Sequence, residues 1–183
     1  MHDDFLEYTK PADDIRPTGK APVIISQGAS TVSFQNLRWG FKKWDGKGVI
    51  INARVETLET KDMFTRLLTT GRCIIPAGEY YEWQTKGQSK VKHLIKDKDD
   101  NLLFMAGLYQ EGDNGREFVI ITKDACDEVT NVHDRMPVIL KASQVEDWLA
   151  GKLMPDDIVK LEFNPDVRPC DESMIQMDLF ESE

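Results

Sequence analysis

Short apolar runs rich in β-branched residues alternate along the chain with polar stretches carrying glycine, proline or charge. Runs of that length bounded by turn formers read as buried or half-buried strands. The pattern predicts strands at Ala21–Ser26, Thr31–Arg38, Val49–Ala53, Arg72–Pro76, Tyr80–Gln84, Lys90–Ile95, Leu102–Tyr109 and Glu117–Thr122. Lys90–Ile95 and Leu102–Tyr109 are expected to pair with each other around the polar turn Asp97-Lys98-Asp99-Asp100-Asn101. Helical spacing of Leu58, Phe64, Leu67 and Leu68 predicts a helix over Thr57–Thr69, with Gly71 as its C-cap. Shorter helices are expected at Ala125–Asn131, at Ser143–Ala150 and at Asp156–Leu161; the second has Ser143 as N-cap and Glu146 at the capping-box position. Residues 1–20 read as a polar leading segment ending in the turn Arg16-Pro17-Thr18-Gly19-Lys20, and after Phe163 the periodicity fades into an acidic tail.

Many short strands, few helices and no βαβ alternation predict an α+β fold. Its sheet should be curved, mostly antiparallel and barrel-like, flanked by a few helices. The expected division is one domain over residues 1–165 and a tail over 166–183. No stretch approaches the roughly 20 apolar residues of a membrane span. The start, Met1-His2-Asp3-Asp4, lacks the basic and apolar regions of a signal peptide, so a cytoplasmic monomer with no membrane association is expected. Cys73, Cys126 and Cys170 form no CxxC pair, and the histidines are dispersed at 2, 93 and 133, so neither a metal nor a cofactor is expected. Cys73, inside an apolar run, reads as a buried core thiol.

The formal charge of −9 excludes a surface that is basic throughout. Its distribution is uneven. Residues 1–92 carry 14 Lys+Arg against 11 Asp+Glu, whereas residues 93–183 carry 9 against 21. Between Arg38 and Arg72 there are eight basic residues against four acidic ones, interleaved with Trp39, Phe41 and Trp44. Cations among aromatics suit a single-stranded nucleic acid, whose phosphates want charge and whose bases want flat faces. A solvated face with some core aromatics would give the same composition.

Three polar islands end apolar runs: Asn52-Ala53-Arg54, Tyr81-Glu82-Trp83 and Val132-His133-Asp134-Arg135-Met136-Pro137. Glu82, flanked by Tyr81 and Trp83, is placed for desolvation, which raises a carboxyl pKa and suits it to general acid work. An exposed strand residue beside core aromatics is the alternative. His133 sits before a proline in a loop held by rigid elements, although a lone histidine is more often structural. Asn52 can orient a reacting group through donor and acceptor, and Arg54, two residues on, shares its face and can grip a phosphate.

These islands, taken with other short ordered motifs, resemble the SRAP family (SOS response-associated peptidase, a domain that crosslinks to abasic DNA). The carrying residues are Ile15-Arg16-Pro17-Thr18, Arg38-Trp39-Gly40-Phe41, Asn52-Ala53-Arg54-Val55-Glu56-Thr57, Arg72-Cys73-Ile74-Ile75-Pro76-Ala77-Gly78, Tyr81-Glu82-Trp83, Ala106-Gly107-Leu108, Ile121-Thr122 and His133-Asp134-Arg135-Met136-Pro137. The resemblance implies a sensor of abasic sites in single-stranded DNA that acts in the SOS or DNA-damage response. It implies that Asn52 holds an N-terminal nucleophile, Glu82 shuttles protons in ring opening and Schiff-base formation, and His133 assists at the sugar oxygen. Arg54 and Arg135 would then bind flanking phosphates, with Trp39, Pro17 and Thr122 along the DNA path. In the family the nucleophile is a cysteine at the second position, whose amine and thiol close a thiazolidine on the sugar aldehyde. Here His2 stands at that position, and the segment before Ile15 is short. Either the given sequence lacks its true start or this member binds DNA without the covalent step; as written, the chain is not expected to form the thiazolidine. A non-catalytic module for single-stranded DNA or the sliding clamp, and a peptidase using Glu82 and His133, are the other readings. The tail adds Gln176-Met177-Asp178-Leu179-Phe180, in which Gln176, Leu179 and Phe180 resemble the peptide that docks bacterial repair proteins on the sliding clamp.

Overall fold

β-Branched runs become strands wherever one face can be buried, and in this chain they do so in two separate compact units. The computed structural model describes residues 14–28 and 31–170. The larger unit combines the described residues up to Pro76 with Phe104–Lys123 and Pro137–Leu161. Its main strands are β1 (Lys20–Ser26), β2 (Val32–Trp39), β6 (Arg72–Ala77), β9 (Leu103–Gly112) and β10 (Gly115–Asp124). They follow the order β10-β2-β1-β6-β9, and β9 pairs back onto β10, so the sheet closes into a five-stranded barrel with no open edge along that path. The pairings β1–β2, β1–β6 and β9–β10 are antiparallel, and β2–β10 is a short parallel contact. Between β2 and β6 the chain forms the hairpin β3 (Phe41–Lys42) and β4 (Val49–Ile50), then β5 (Asn52–Arg54), which adds in parallel to β10. Two short strands, β11 (Arg135–Pro137) and β12 (Ile139–Leu140), follow β10 in the chain. The mostly antiparallel barrel with few helices agrees with the α+β expectation.

Closure brings backbones close together at two glycines. A Cβ on Gly71 would lie 2.2 Å from the Tyr109 carbonyl oxygen, and one on Gly107 would lie 2.4 Å from Ile75 Cδ1 and 2.8 Å from the Val119 oxygen. The core includes Ile24, Ile74, Leu108, Val119, Ile121 and Trp148, each 5% exposed or less. Arg72 is buried among them without a carboxylate: its Nε donates to the Leu68 carbonyl at 2.6 Å, its Nη1 to the Leu153 carbonyl, and its guanidinium lies 4.3 Å over the Trp148 ring. Burial lowers its pKa. Trp148 Nε1 in turn donates to the Cys73 carbonyl at 3.0 Å.

The smaller unit comprises Ala77–Leu103, Asp124–Met136 and the described residues from Glu162 onward. It is a three-stranded antiparallel sheet in the order β13-β8-β7, with β7 at Glu79–Lys86, β8 at Ser89–Asp97 and β13 at Pro165–Pro169. Ile95, Val129 and Met136 form its core with Tyr80, Cys126, Phe163 and Val167 packed around them.

Four expectations change. Lys90–Ile95 does not pair with Leu102–Tyr109: β8 takes β7 and β13 as neighbours, while β9 pairs with β10 in the barrel. The turn after Asp97 therefore separates the two units rather than closing a hairpin. The helix expected over Thr57–Thr69 is broken into a 3₁₀ turn at Val55–Thr57 and helical turns at Asp62–Thr65 and Leu67–Thr70. Threonine hydroxyls account for this, since Thr57, Thr60 and Thr65 donate to the Arg54, Thr57 and Lys61 carbonyls and compete with a continuous ladder. The helix near Ser143 begins with a 3₁₀ turn at Ala142–Gln144, and its cap is the Gln144 side chain accepting from Lys141 N at 2.9 Å, not Ser143. Strand β13 also shows that regular structure continues past Phe163. Among the described residues no helix is long and apolar enough to cross a membrane.

Gly107→Ala is expected to cost about 1–3 kcal/mol, because Val119 O is backbone and cannot swing aside. Gly78→Ala, with nothing within 4 Å of the added Cβ, is expected to leave stability nearly unchanged. Denaturant midpoints of the two variants measure this; equal midpoints would remove close packing as the reason for Gly107.

Candidate nucleic-acid and acid–base site

In the barrel unit, the residues expected along a nucleic-acid path are tied together by a short series of backbone bonds. Arg16-Pro17-Thr18-Gly19 forms a turn closed by Gly19 N donating to Arg16 O at 2.9 Å. Thr18 occupies its third position with φ of 75°, a left-handed conformation that a β-branched residue adopts only under constraint. The constraint is Trp39: Thr18 N donates to Trp39 O, and Trp39 N donates to Gly19 O, both at 2.8 Å. The Trp39 ring stacks on Phe118 with centroids 6.3 Å apart, and its indole N–H donates to Ile51 O at 3.0 Å. Ile51 immediately precedes Asn52. In β5, Asn52 and Arg54 are exposed while Ala53 between them is buried, so the two polar side chains share one face as the alternation requires. Thr122 is opposite Arg54 in the β5–β10 register and is itself buried. Pro17, Trp39, Asn52, Arg54 and Thr122 are thus linked within one unit.

The smaller unit collects Glu82, His133 and Arg135. Along β7 the half-buried residues Tyr80, Glu82 and Gln84 alternate on one face. Tyr80 packs on Val129 and Met136, and Gln84 Nε2 donates to Asn131 O at 2.6 Å. Glu82, between them, therefore faces the segment that carries His133. Its carboxyl pKa is raised, chiefly by burial; the charge of His133 and a hydrogen bond from the Trp83 amide oppose the rise, and Asp134 adds to it. The desolvation expected from Tyr81 and Trp83 has a different origin, because those neighbours point to the opposite face, where Trp83 is 42% exposed and Tyr81 receives Lys92 Nζ 4.1 Å over its ring. The Tyr80 hydroxyl is buried on the same face as Glu82, and its pKa is raised by burial, then by Glu82 and Cys126. Sequence reasoning did not single out Tyr80; its spacing of two from Glu82 on a strand was the available clue.

His133 is held by its own loop. Its backbone N–H donates to Val129 O at 3.0 Å, and the Arg135 N–H donates to Nδ1 at 3.0 Å. An amide N–H can only donate, so Nδ1 is the acceptor in the neutral ring and Nε2 carries the proton. The same Nδ1 lies 3.2 Å from Asp134 Oδ1 and 3.2 Å from Arg135 O. Arg135 is mostly buried and ion-paired with Asp124. Cys73 is fully buried, and its thiol pKa is raised well above the usual range by burial, which leaves it a core residue. Gln176, Leu179 and Phe180 lie outside the described residues.

A carboxyl whose folded pKa is raised binds its proton more readily in the folded chain than in the unfolded one. Ionising it therefore costs stability; the cost is absent below the unfolded carboxyl pKa and complete above the folded one. Glu82→Gln is accordingly expected to raise the melting temperature at pH 7 and to lose that advantage near pH 4. Paired thermal melts at the two pH values test this, and an advantage that does not change with pH would contradict it.

Known proteins resemble the chain in sequence and in fold. The family described as SOS response associated peptidase (SRAP) matches residues 3–176. The abasic site processing protein YoqW of Bacillus subtilis is 36% identical over 177 residues, covering 89% of this chain and 78% of its own. The abasic site processing protein YedK of Escherichia coli is 31% identical over 140 residues, covering 74% and 63%. Among solved structures, a Bacteroides thetaiotaomicron protein superposes with a TM-score of 0.73 at 26% identity, over 87% of this chain and 77% of that one. A Bordetella bronchiseptica protein shares the fold with a TM-score of 0.76 at 20% identity, over 93% and 96%. The chain belongs to the SRAP family.

Proposed function

We propose that this protein recognises abasic sites in single-stranded DNA during the response to DNA damage. The observation that carries the reading is Glu82: a half-buried carboxyl on a strand face, its pKa raised by burial and drawn back by the charge of a loop histidine, in a chain whose relatives are named abasic site processing proteins. An abasic deoxyribose exists partly as a ring-opened aldehyde. Opening the ring requires a proton at the ring oxygen and removal of one from the anomeric hydroxyl. Attack by an amine then requires a proton on the departing water. A carboxyl with a raised pKa, together with a histidine whose ring offers both a donor and an acceptor, suits both steps. In this reading Asn52 orients the attacking group, and His133 acts at the sugar oxygen. Arg54 and Arg135 bind phosphates, while Pro17, Trp39 and Thr122 line the strand. The exposed face of β5 supports the role of Arg54. A peptide docking on the sliding clamp through Gln176, Leu179 and Phe180 would bring the protein to replication sites; deleting residues 176–180 is expected to abolish clamp pull-down and leave DNA binding intact.

Three measurements test the reading. Binding to an abasic oligonucleotide is expected to exceed binding to the intact strand and to weaken with salt, and Arg54→Ala is expected to lower the slope of log affinity against log salt by about one. Equal, salt-insensitive binding of an acidic control polymer would refute it. A version opening Met-Cys-Gly-Arg is expected to give a heat-stable adduct with the abasic strand, and the chain as given is not. In that version Glu82→Gln is expected to slow adduct formation by about 10²–10⁴ while preserving affinity. Unchanged rates would remove Glu82 from the chemistry.

A further inference from the structure

One buried histidine of the smaller unit has no part in the site described so far. In the β7–β8 register His93 lies directly opposite Glu82, and in the β13–β8 register Pro169 lies on its other side. Residues directly opposite in an antiparallel pair project from the same face, with Cβ atoms about 4.5–5.5 Å apart. Glu82, His93 and Pro169 therefore form one row across the sheet. The next row on that face, Tyr80, Ile95 and Val167, packs on Val129 and Met136. His93 is 8% exposed, so its ring is withdrawn from water beside a half-buried carboxyl.

Its two ring nitrogens are not equivalent. Nδ1 lies 3.1 Å from the Val91 carbonyl oxygen. A carbonyl oxygen only accepts, so Nδ1 carries the proton in the neutral ring and Nε2 is left as an acceptor. His133 has the opposite arrangement, because its Nδ1 accepts from the Arg135 amide. An acceptor can bond only the protonated acid, which has an O–H to give, and a hydrogen bond to one protonation state favours that state. The charge of His133 works the other way and draws Glu82 towards ionisation, while Asp134 opposes it. On this face Tyr80 and Cys126 are further titratable groups, and Arg135 is paired with Asp124. Asp127 and Glu128, on the helical turn that packs against β13, are exposed. In its neutral ring His93 supplies an acceptor that brings no negative charge with it.

We propose that His93 is a positioning residue for Glu82: its Nε2 accepts from the protonated carboxyl in the empty site, so that Glu82 meets the sugar as an acid. The bond requires only that the carboxyl turn along its own row. The proposal rests on the abasic-site reading above. When the sugar arrives, Glu82 turns its O–H from His93 to the ring oxygen and gives up the proton as the ring C–O bond breaks. The carboxylate then takes the proton of the anomeric hydroxyl as the aldehyde forms, which returns Glu82 to the acid that His93 holds.

Nitrogen NMR of the chain as given tests it without any variant. At neutral pH the His93 ring is expected to be neutral with its proton on Nδ1; a charged ring, or a proton on Nε2, overturns the proposal. Carbon NMR of the Glu82 carboxyl then reads the bond itself. Its titration is expected to move to lower pH by about half to one pH unit in His93→Phe, which keeps a flat ring but has no acceptor. In His93→Gln, whose amide oxygen accepts, it is expected to stay near the wild-type position. Equal titrations in all three proteins, or an equal drop in both variants, overturn the proposal. In the version opening Met-Cys-Gly-Arg, His93→Phe is expected to slow adduct formation about three- to tenfold at pH 8 with affinity for the abasic strand unchanged, and His93→Gln to restore the rate. A displaced titration with no change in rate overturns the positioning role. If Glu82→Gln itself leaves the rate unchanged, the abasic-site reading fails instead, and the titrations still decide whether His93 holds the acid.

Discussion

Ile51 contributes no functional side chain, yet its carbonyl oxygen accepts from both the Trp39 indole at 3.0 Å and the Ile120 amide at 3.1 Å. Each donor occupies one lone pair of the same oxygen, so neither has to displace the other. The first bond fixes the ring that stacks on Phe118. The second starts the parallel register in which Asn52 lies opposite Ile120 and Arg54 opposite Thr122. Trp39 in turn exchanges backbone bonds with the Pro17 turn, and those bonds hold Thr18 in a conformation it would otherwise avoid. One buried acceptor thus couples three segments distant in sequence. Replacing the Trp39 ring would leave that acceptor half satisfied as well as removing a stacking surface.

The smaller unit solves a different problem, which is to hold a carboxyl out of water without neutralising it. A salt bridge would lower the pKa, and full burial would lock the proton on. Glu82 avoids both because strand alternation sets it between Tyr80, which is anchored in apolar packing, and Gln84, which is anchored on the Asn131 carbonyl. The neighbours on either side, neither of them carrying an opposite charge, thereby tie this face of β7 to the segment around His133. His133 is one of two groups that pull the carboxyl towards ionisation, the Trp83 amide being the other.

Much of this could be read from residue order. The apolar runs around Ile24, Ile74 and Ile120 became barrel strands because each is long enough and bounded by turn formers. The polar residues at their ends lay where alternation puts them. What sequence did not reveal was partnership. Lys90–Ile95 and Leu102–Tyr109 satisfy every local criterion for a hairpin, yet β8 finds better company in β7 and β13, a pairing that depends on a strand 70 residues further along. The Thr57–Thr69 segment has the right apolar spacing for a helix, but its threonine hydroxyls bond back to the main chain and divide it. Glu82 was identified for a sound reason and the wrong neighbours. Adjacent residues in a strand face opposite ways, so the groups that desolvate it are two residues off and in a separate loop.

The basic stretch from Arg38 to Arg72 shows why composition alone overstates an anion-binding surface. Arg38 is bound to the Glu117 carboxylate and the Gly40 carbonyl, and Glu117 also accepts from Lys42 N. Lys42 itself reaches Asp113 at 3.0 Å. Arg72 is buried among carbonyls. These three cations hold the barrel edge and its core in place, and their charge is largely spent on partners already present. The exposed remainder, Lys43, Lys47, Arg54, Lys61 and Arg66, is what a phosphate chain could meet. Of these, Arg54 sits beside the site residues, and Lys43 and Lys47 sit at the hairpin tip. At physiological salt a field decays over about 8 Å, so these few local charges outweigh acidic residues farther away. A chain with a formal charge of −9 can thus still present locally cationic surface, at the tip of the β3–β4 hairpin and on the strand that the Ile51 carbonyl holds in place.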